Sequence, residues 1–245
     1  MKWYIGTSGW SYNDWKGNFY PRELTNKNKR LQYYAEHFDC TEVNSTFYKT
    51  PAEGTIQSWK ESSPGQFLFI IKLNRYFSHL KRLKSDEAVS EKLEEVKVIP
   101  EILGDQIGPV LVQLPGNMKK DTKRLREWLD FMPRYRYAFE FRNDQWFDDD
   151  VFETLKEYDA ALVYSHSTEF PTDLKCTASF MYLRFHGPNK PYYSQYSREQ
   201  LESEFEKISL FMNDCREIYV FFNNTYKAYA VENAQMWKQI ANQNQ

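Results

Sequence analysis

Long apolar runs, an excess of charge of one sign, paired cysteines and internal repeats are all missing from this chain, and each absence removes a class of protein. No stretch approaches the ~20 apolar residues of a membrane-spanning helix. The opening Met1-Lys2-Trp3-Tyr4-Ile5-Gly6 turns polar too soon for the core of a secretory signal, so a soluble cytoplasmic protein with no membrane partner is expected. A formal net charge of −2 gives no whole-protein field that would favour nucleic acid or an anionic membrane. The three cysteines, Cys40, Cys176 and Cys215, are widely spaced and form no Cys-x-x-Cys pair. That argues against a disulfide framework and against a structural zinc site. No repeat, low-complexity tract or linker divides the chain, and 245 residues suit one large domain, 1–245.

What is present is apolar and aromatic. Hydrophobic residues make up 41% of the chain, with 18 Tyr and 18 Phe, enough to bury a core and leave rings over to line a site. Strand-like runs fall at residues 3–5, 40–44, 67–72, 109–114, 135–141, 160–165, 180–185 and 218–222. Helical spacing predicts helices near 29–37, 54–62, 86–102, 122–131, 148–158, 198–211 and 231–241, whereas residues 167–179 carry no helical pattern. Eight strands alternating with helices predict an α/β fold, a single-domain (β/α)8 TIM-type barrel with an irregular sixth β/α unit. An open doubly wound sheet is the alternative, but no Gly-x-Gly-x-x-Gly follows any strand. The basic stretch 72–85 is long enough for a lid, although a solvated basic face explains it more cheaply.

The strand-like runs end in polar residues: Glu42 and Asn44, Lys72, Gln113, Glu140 and Arg142, His166, Arg184 and His186, then Asn223 and Asn224. In a barrel the strand C-termini point into the mouth, so these groups are expected to converge there. Glu140 and Arg142 lie two apart and share a strand face, where burial demands that each find a partner. Three chemistries suit such a set. Arg142, Arg184 and Lys72 can hold a phosphate or carboxylate, with Glu140 or Glu42 and a histidine as general acid and base. Glu42, Glu140, His166 and His186 can instead hold a divalent metal, although no His-Glu-x-x-His motif supports it. Two carboxylates flanking a sugar, with Trp10 and Trp146 among the stacking platforms, would read as a glycosidase, with their separation deciding.

Together these motifs resemble the YecE-like family, a domain family of unknown function. The resemblance runs over essentially the whole length. It is carried by Gly6-Thr7-Ser8-Gly9-Trp10 with Trp15, Gly17 and Phe19-Tyr20-Pro21, by Glu42-Val43-Asn44-Ser45-Thr46-Phe47-Tyr48, and by Lys72 with Ser78-His79. Gly108-Pro109, Gln113-Leu114-Pro115, Glu140-Phe141-Arg142 with Trp146, Arg184-Phe185-His186-Gly187 and Phe222-Asn223-Asn224-Thr225 with Asn233-Ala234 follow. It implies a TIM-type barrel and no established activity. The departures are Asn143 where the family commonly has histidine, Gly116 for a proline, Ser78 for a threonine and Ala228 for a glycine.

The leading expectation is an enzyme, a hydrolase, lyase or isomerase, that binds a small anionic substrate such as a phosphorylated sugar or nucleotide without an organic cofactor. Glu140 is the expected base and His186 the acid, with Glu42 beside them. Arg142 and Arg184 form the expected clamp, and Lys72, Asn44, Gln113, Asn223, Asn224, Trp10 and Trp146 complete the binding set. The alternatives are a noncatalytic binder of nucleic acid or a regulatory ligand, and a divalent-metal-dependent hydrolase. Oligomeric state has no signature in the sequence.

Overall fold

Strand register and side-chain parity together decide what faces the mouth of this protein. Its computed structural model describes residues 1–212 and 215–244, and among them eight parallel strands close into a (β/α)8 barrel of the TIM type. The strands are β1 (Lys2–Ser8), β2 (Cys40–Val43), β3 (Leu68–Ile71), β4 (Val110–Gln113), β5 (Tyr137–Glu140), β6 (Ala161–His166), β7 (Phe180–Phe185) and β8 (Glu217–Phe222). Hydrogen-bonded neighbours run β3-β2-β1-β8-β7-β6-β5-β4. Between β3 and β4 the wall is thinnest, held by isolated bridges from Phe69 to Ile107 and from Lys72 to Leu111. The Leu73 N–H strengthens that seam by donating to the Leu111 carbonyl at 2.8 Å. At the β1–β2 contact a Cβ on Gly6 would stand 2.2 Å from the Cys40 carbonyl oxygen, so only glycine fits.

The helices are α1 (Lys27–Ala35), α2 (Glu53–Glu61), α3 (Glu87–Val96), α4 (Val98–Leu103), α5 (Thr122–Phe131), α6 (Asp149–Glu157), α7 (Arg198–Ser209) and α8 (Tyr229–Gln243). Asp86, Asp121 and Asp148 accept from first-turn backbone amides of α3, α5 and α6, and Ser197 with Gln200 forms a capping box on α7. The single helix expected over 86–102 is in fact two. Pro100 has no N–H for the Val96 carbonyl and its ring crowds that group, so α3 ends at Val96 and Pro100 sits in the first turn of α4. Residues 167–179 contain no helix, as expected for the sixth unit. The basic stretch after β3 is anchored, since a helical turn at Tyr76–Leu80 buries Phe77, and Leu83 is buried beyond it. Among the described residues no helix is long and apolar enough to cross a membrane.

Outward side chains pack in two clusters. One joins β1, β2, β3, β7 and β8 to α1, α2, α4, α7 and α8; the other joins β4, β5 and β6 to α3, α5 and α6. Inward side chains include Tyr4, Leu68, Ile70, Leu111, Phe180, Tyr182, Tyr219 and Phe221, with Tyr4 and Tyr219 stacked 4.8 Å apart. This apolar plug fills the barrel. The next inward layer towards the strand C-termini, Ser8, Glu42, Lys72, Gln113, Glu140, Ser165 and Arg184, therefore becomes the floor of whatever opens above.

Candidate functional site

Arg184 on β7 lies between two buried carboxylates. Its Nε and Nη2 donate to Glu42 Oε2 and Oε1 at 3.0 and 2.7 Å, and its Nη1 donates to Glu140 Oε2 at 2.6 Å. Other donors complete each acid. Ser8 Oγ, Asn44 Nδ2 and Tyr182 Oη donate to Glu42 at 2.8, 3.0 and 2.7 Å. Gln113 Nε2, Arg142 Nη2 and Ser165 Oγ donate to Glu140 at 2.6, 2.6 and 3.0 Å. Burial alone would raise both carboxyls, but Arg184 holds Glu42 below the usual range and, with Arg142, holds Glu140 well below it. Both acids stay ionised, with their lone pairs engaged.

Above this floor opens a cavity of about 790 Å³, lined among others by Tyr12, Asn44, Phe47, Lys72, Gln113, Arg142, Phe170, His186, Tyr192 and Asn223. Lys72 Nζ donates to Gln113 Oε1 at 3.0 Å and rests 4.4 Å from the Phe47 ring centroid. Burial, then the Arg184 charge, pushes its ammonium down to about 8. The Arg142 guanidinium lies 3.3 Å from the Phe170 ring centroid, and among the described residues its Nε, like His186 Nε2, has no hydrogen-bond partner. Asn223 Nδ2 lies 3.2 Å from His186 Nδ1, which makes Nδ1 the acceptor and puts the proton on Nε2, 3.5 Å from Glu140 Oε1. Burial pushes His186 down to about 4 despite Glu140, so it is a neutral N–H donor at pH 7. His79 sits edge-on to Phe47 at 5.0 Å.

A family model for a protein of unknown function, DUF72, matches residues 4–245. The chain belongs to the DUF72 family. The UPF0759 protein YunF of Bacillus subtilis (strain 168) is 26% identical over 269 residues, covering 97% of this chain and 94% of YunF. The UPF0759 protein YecE of Escherichia coli (strain K12) is 31% identical over 147 residues, 59% of this chain and 50% of YecE. A crystal structure of a DUF72 family protein from Thermotoga maritima superposes with a TM-score of 0.85 at 29% identity, covering 99% of this chain and 100% of that one. A DUF72 protein of Enterococcus faecalis, 19% identical with a TM-score of 0.79 over 98% of each chain, shares the fold.

Within this DUF72 barrel, Glu42, Asn44, Lys72, Gln113, Glu140, Arg142, Arg184, His186 and Asn223 do converge at the mouth. Four expected members do not. His166 lies on the outer face of β6, its Nδ1 2.7 Å from Tyr196 Oη, so it cannot join Glu42, Glu140 and His186 around a metal. Trp10 packs edge-on against Trp59 outside the wall, at 5.6 Å. Trp146 stacks on Phe141 at 4.8 Å and donates to the Met118 carbonyl, wholly buried. Asn224 is buried, donating to Ser194 O and Asn233 Oδ1. The glycosidase geometry also fails, because the Arg184 guanidinium occupies the space between the carboxylates that a sugar would need.

Sequence reasoning missed Ser8, Ser165 and Tyr182, which hold the carboxylates, and Phe170, which carries Arg142. Tyr182 was within reach, since it shares strand parity with Arg184 and His186. Two departures from the family pattern are neighbours here: Asn143 Nδ2 donates to the Gly116 carbonyl at 2.9 Å. A third, Ala228, adopts a left-handed conformation with φ 69°, where glycine carries less strain.

Proposed function

We propose that the mouth of this barrel binds a small anionic ligand carrying a ring, of the phosphorylated sugar or nucleotide kind. One observation carries the reading. Three cations, Lys72, Arg142 and Arg184, face two carboxylates, Glu42 and Glu140, across the floor, leaving one positive charge in excess there, while Glu169, a further carboxylate lining the cavity, is solvent-exposed; the Lys72 ammonium faces the cavity without an ion-pair partner among the described residues. Arg142 Nε and His186 Nε2, which have no hydrogen-bond partner among the described residues, supply further donors, and Phe47, Phe170, Tyr12 and Tyr192 supply planes for a ring.

The proposed roles divide by electrostatics. Glu42, Arg184 and Glu140 orient the site, because the two carboxylates have their lone pairs engaged and Arg184 gives one bond from each of its three nitrogens to them. Lys72 and Arg142 contact the anion, with Arg142 held by Glu140 and by Phe170. A carboxylate depressed as far as Glu140 is a weak base at neutral pH, so acid–base chemistry on the ligand falls to groups that titrate nearer neutrality. Lys72 is the foremost of these.

The test is thermal stability of the wild type and of Lys72→Met with phosphorylated metabolites, nucleotides, plain sugars and divalent ions. A ligand at about a hundred times its Kd adds roughly 2.7 kcal/mol to stability. Phosphorylated ligands are expected to raise the wild-type midpoint, and Lys72→Met to lose most of the shift. A panel in which no anion moves the wild type, or in which both proteins shift equally, refutes the reading. A second reading, single-stranded nucleic acid, draws on the rim tyrosines. Tyr193 and Tyr226 lie 5.5 Å apart, with Lys190 and Lys227 over their faces. A short oligonucleotide in the same panel, bound with steep salt dependence, would favour it.

A further inference from the structure

Lys72 is the one lysine lining the cavity among the described residues, and its neighbours fix how it is presented. The nearby carboxylates are already committed, Glu42 to the Nε and Nη2 of Arg184 and Glu140 to its Nη1. The amide nitrogen of Gln113 is committed as well, donating to Glu140 Oε2 at 2.6 Å. That orients its carbonyl oxygen towards Lys72, where it accepts one N–H at 3.0 Å and offers no proton in return. Burial, and after it the guanidinium of Arg184, opposes a positive charge on Nζ and outweighs the pull of Glu140 and Glu42. Such a setting favours a free amine with its lone pair unengaged, whereas a structural lysine would take a carboxylate partner.

We propose that Lys72 forms an imine with a small aldehyde or ketone that carries a phosphate or carboxylate, the open-chain form of a sugar phosphate being the best fit to the cavity. The proposal rests on the anionic-ligand reading above. The neutral amine attacks the carbonyl carbon, forming the C–N bond while the carbonyl π pair moves to oxygen, which takes up a proton. The carbinolamine then loses one water as the C=N bond forms and nitrogen gives up its remaining protons. Amine plus carbonyl gives imine plus water, with no oxidant or reductant. Arg142, fixed over Phe170, is placed for the anionic group, and His79 is a titratable imidazole against the same Phe47 ring that carries Lys72.

The experiment uses the wild-type chain with glyceraldehyde 3-phosphate at pH 8, reduction with borohydride, and peptide mapping by mass spectrometry. The reduced adduct is expected at Lys72 at more than about tenfold the level at exposed lysines such as Lys49, because an amine brought down to about 8 is about half deprotonated at this pH, far above the free-amine fraction of an ordinary ammonium. Glyceraldehyde without its phosphate should label Lys72 far less, and Lys72→Met should leave only the surface background. Labelling of Lys72 no greater than that of Lys49 overturns the proposal. Glycerol 3-phosphate, which has no carbonyl, separates the two layers. A wild-type thermal shift with it, alongside no adduct at Lys72, leaves the anion site standing and removes the imine. No shift and no adduct removes both.

Discussion

Arg184 and Glu42, 142 residues apart in sequence, meet across the barrel as a planar fork on a carboxylate, with Nε to Oε2 at 3.0 Å and Nη2 to Oε1 at 2.7 Å. The third guanidinium nitrogen reaches Glu140, so one cation compensates two buried acids. Removing it strands both. Arg184→Met is expected to cost about 3 to 5 kcal/mol, the range for breaking a buried pair by deleting one partner. Lysine should rescue little, since an ammonium cannot present three donors in one plane. Urea denaturation measures this directly, and a loss below about 1 kcal/mol would show that water already compensates these carboxylates. For the same reason Arg184 is a poor probe of ligand binding, and Lys72 is the better one.

His186 makes the stability of the barrel depend on mild acid. Its folded-state value, about 4, lies below the ordinary 6.5. Between these values the unfolded chain binds a proton that the folded chain refuses, so stability falls as pH drops from 6.5 towards 4. The full difference corresponds to roughly 3 kcal/mol at most. Glu140 adds nothing in this window. Its lowered carboxyl contributes stability that is present above about 4.5 and is lost only as pH falls further through its folded value. The expected result is a slope of stability against pH between 6.5 and 4.5 that is shallower in His186→Gln than in the wild type. Parallel curves would mean that His186 is protonated in the folded state.

Much of this arrangement could be read from residues in order. The polar endings of the apolar runs at Glu42, Lys72, Gln113, Glu140, Arg184 and His186 predicted the floor of the mouth, and the lack of helical spacing over 167–179 predicted the bare sixth connection. Parity is where the reading stopped. β6 is apolar on both faces, as a strand covered inside and out must be, so nothing in Ala-Leu-Val-Tyr-Ser-His says whether Ser165 or His166 turns inward. The structure selects Ser165, which donates to Glu140, and sends His166 to Tyr196. Trp10 and Trp146 were ambiguous for a similar reason, because a large ring beside a loop serves core packing and ligand stacking equally well. That Arg184 is shared by two acids is a fact of three strands meeting, and no spacing within one strand encodes it.

Phe170, from the helix-free connection, bears on affinity through Arg142. The guanidinium lies 3.3 Å from its ring centroid while Nη2 holds Glu140, which fixes the plane of the remaining donors. Losing a partly desolvated cation–π contact of about 1 to 2 kcal/mol should weaken anion binding by roughly five- to thirtyfold. Phe170→Ala is therefore expected to raise the Kd of a phosphorylated ligand, and Phe170→Tyr to restore most of the affinity. Titration calorimetry distinguishes the cases, and an unchanged Kd in Phe170→Ala would remove Phe170 from the site.

Lys72 should couple anion binding to proton uptake. Burial, followed by the Arg184 charge, brings its ammonium down to about 8 from 10.5. Between those values the unfolded chain holds a proton that the folded chain has released, so the contribution of Lys72 to stability rises with pH through that window. Below about pH 8 the ammonium is charged in both states and its unfavourable setting is felt in full. An anion placed against Nζ reverses this by favouring the charged form. Binding at pH 8.5 to 9 should then draw a fraction of a proton from solution, seen as a binding enthalpy that varies with the ionisation enthalpy of the buffer. At pH 6.5 the lysine is already protonated and its share of the effect should vanish. Lys72→Met should remove it at every pH. An enthalpy independent of buffer at pH 9, for a ligand that does bind the wild type, would mean that the anion sits away from Lys72 and that Arg142 and His186 hold it alone.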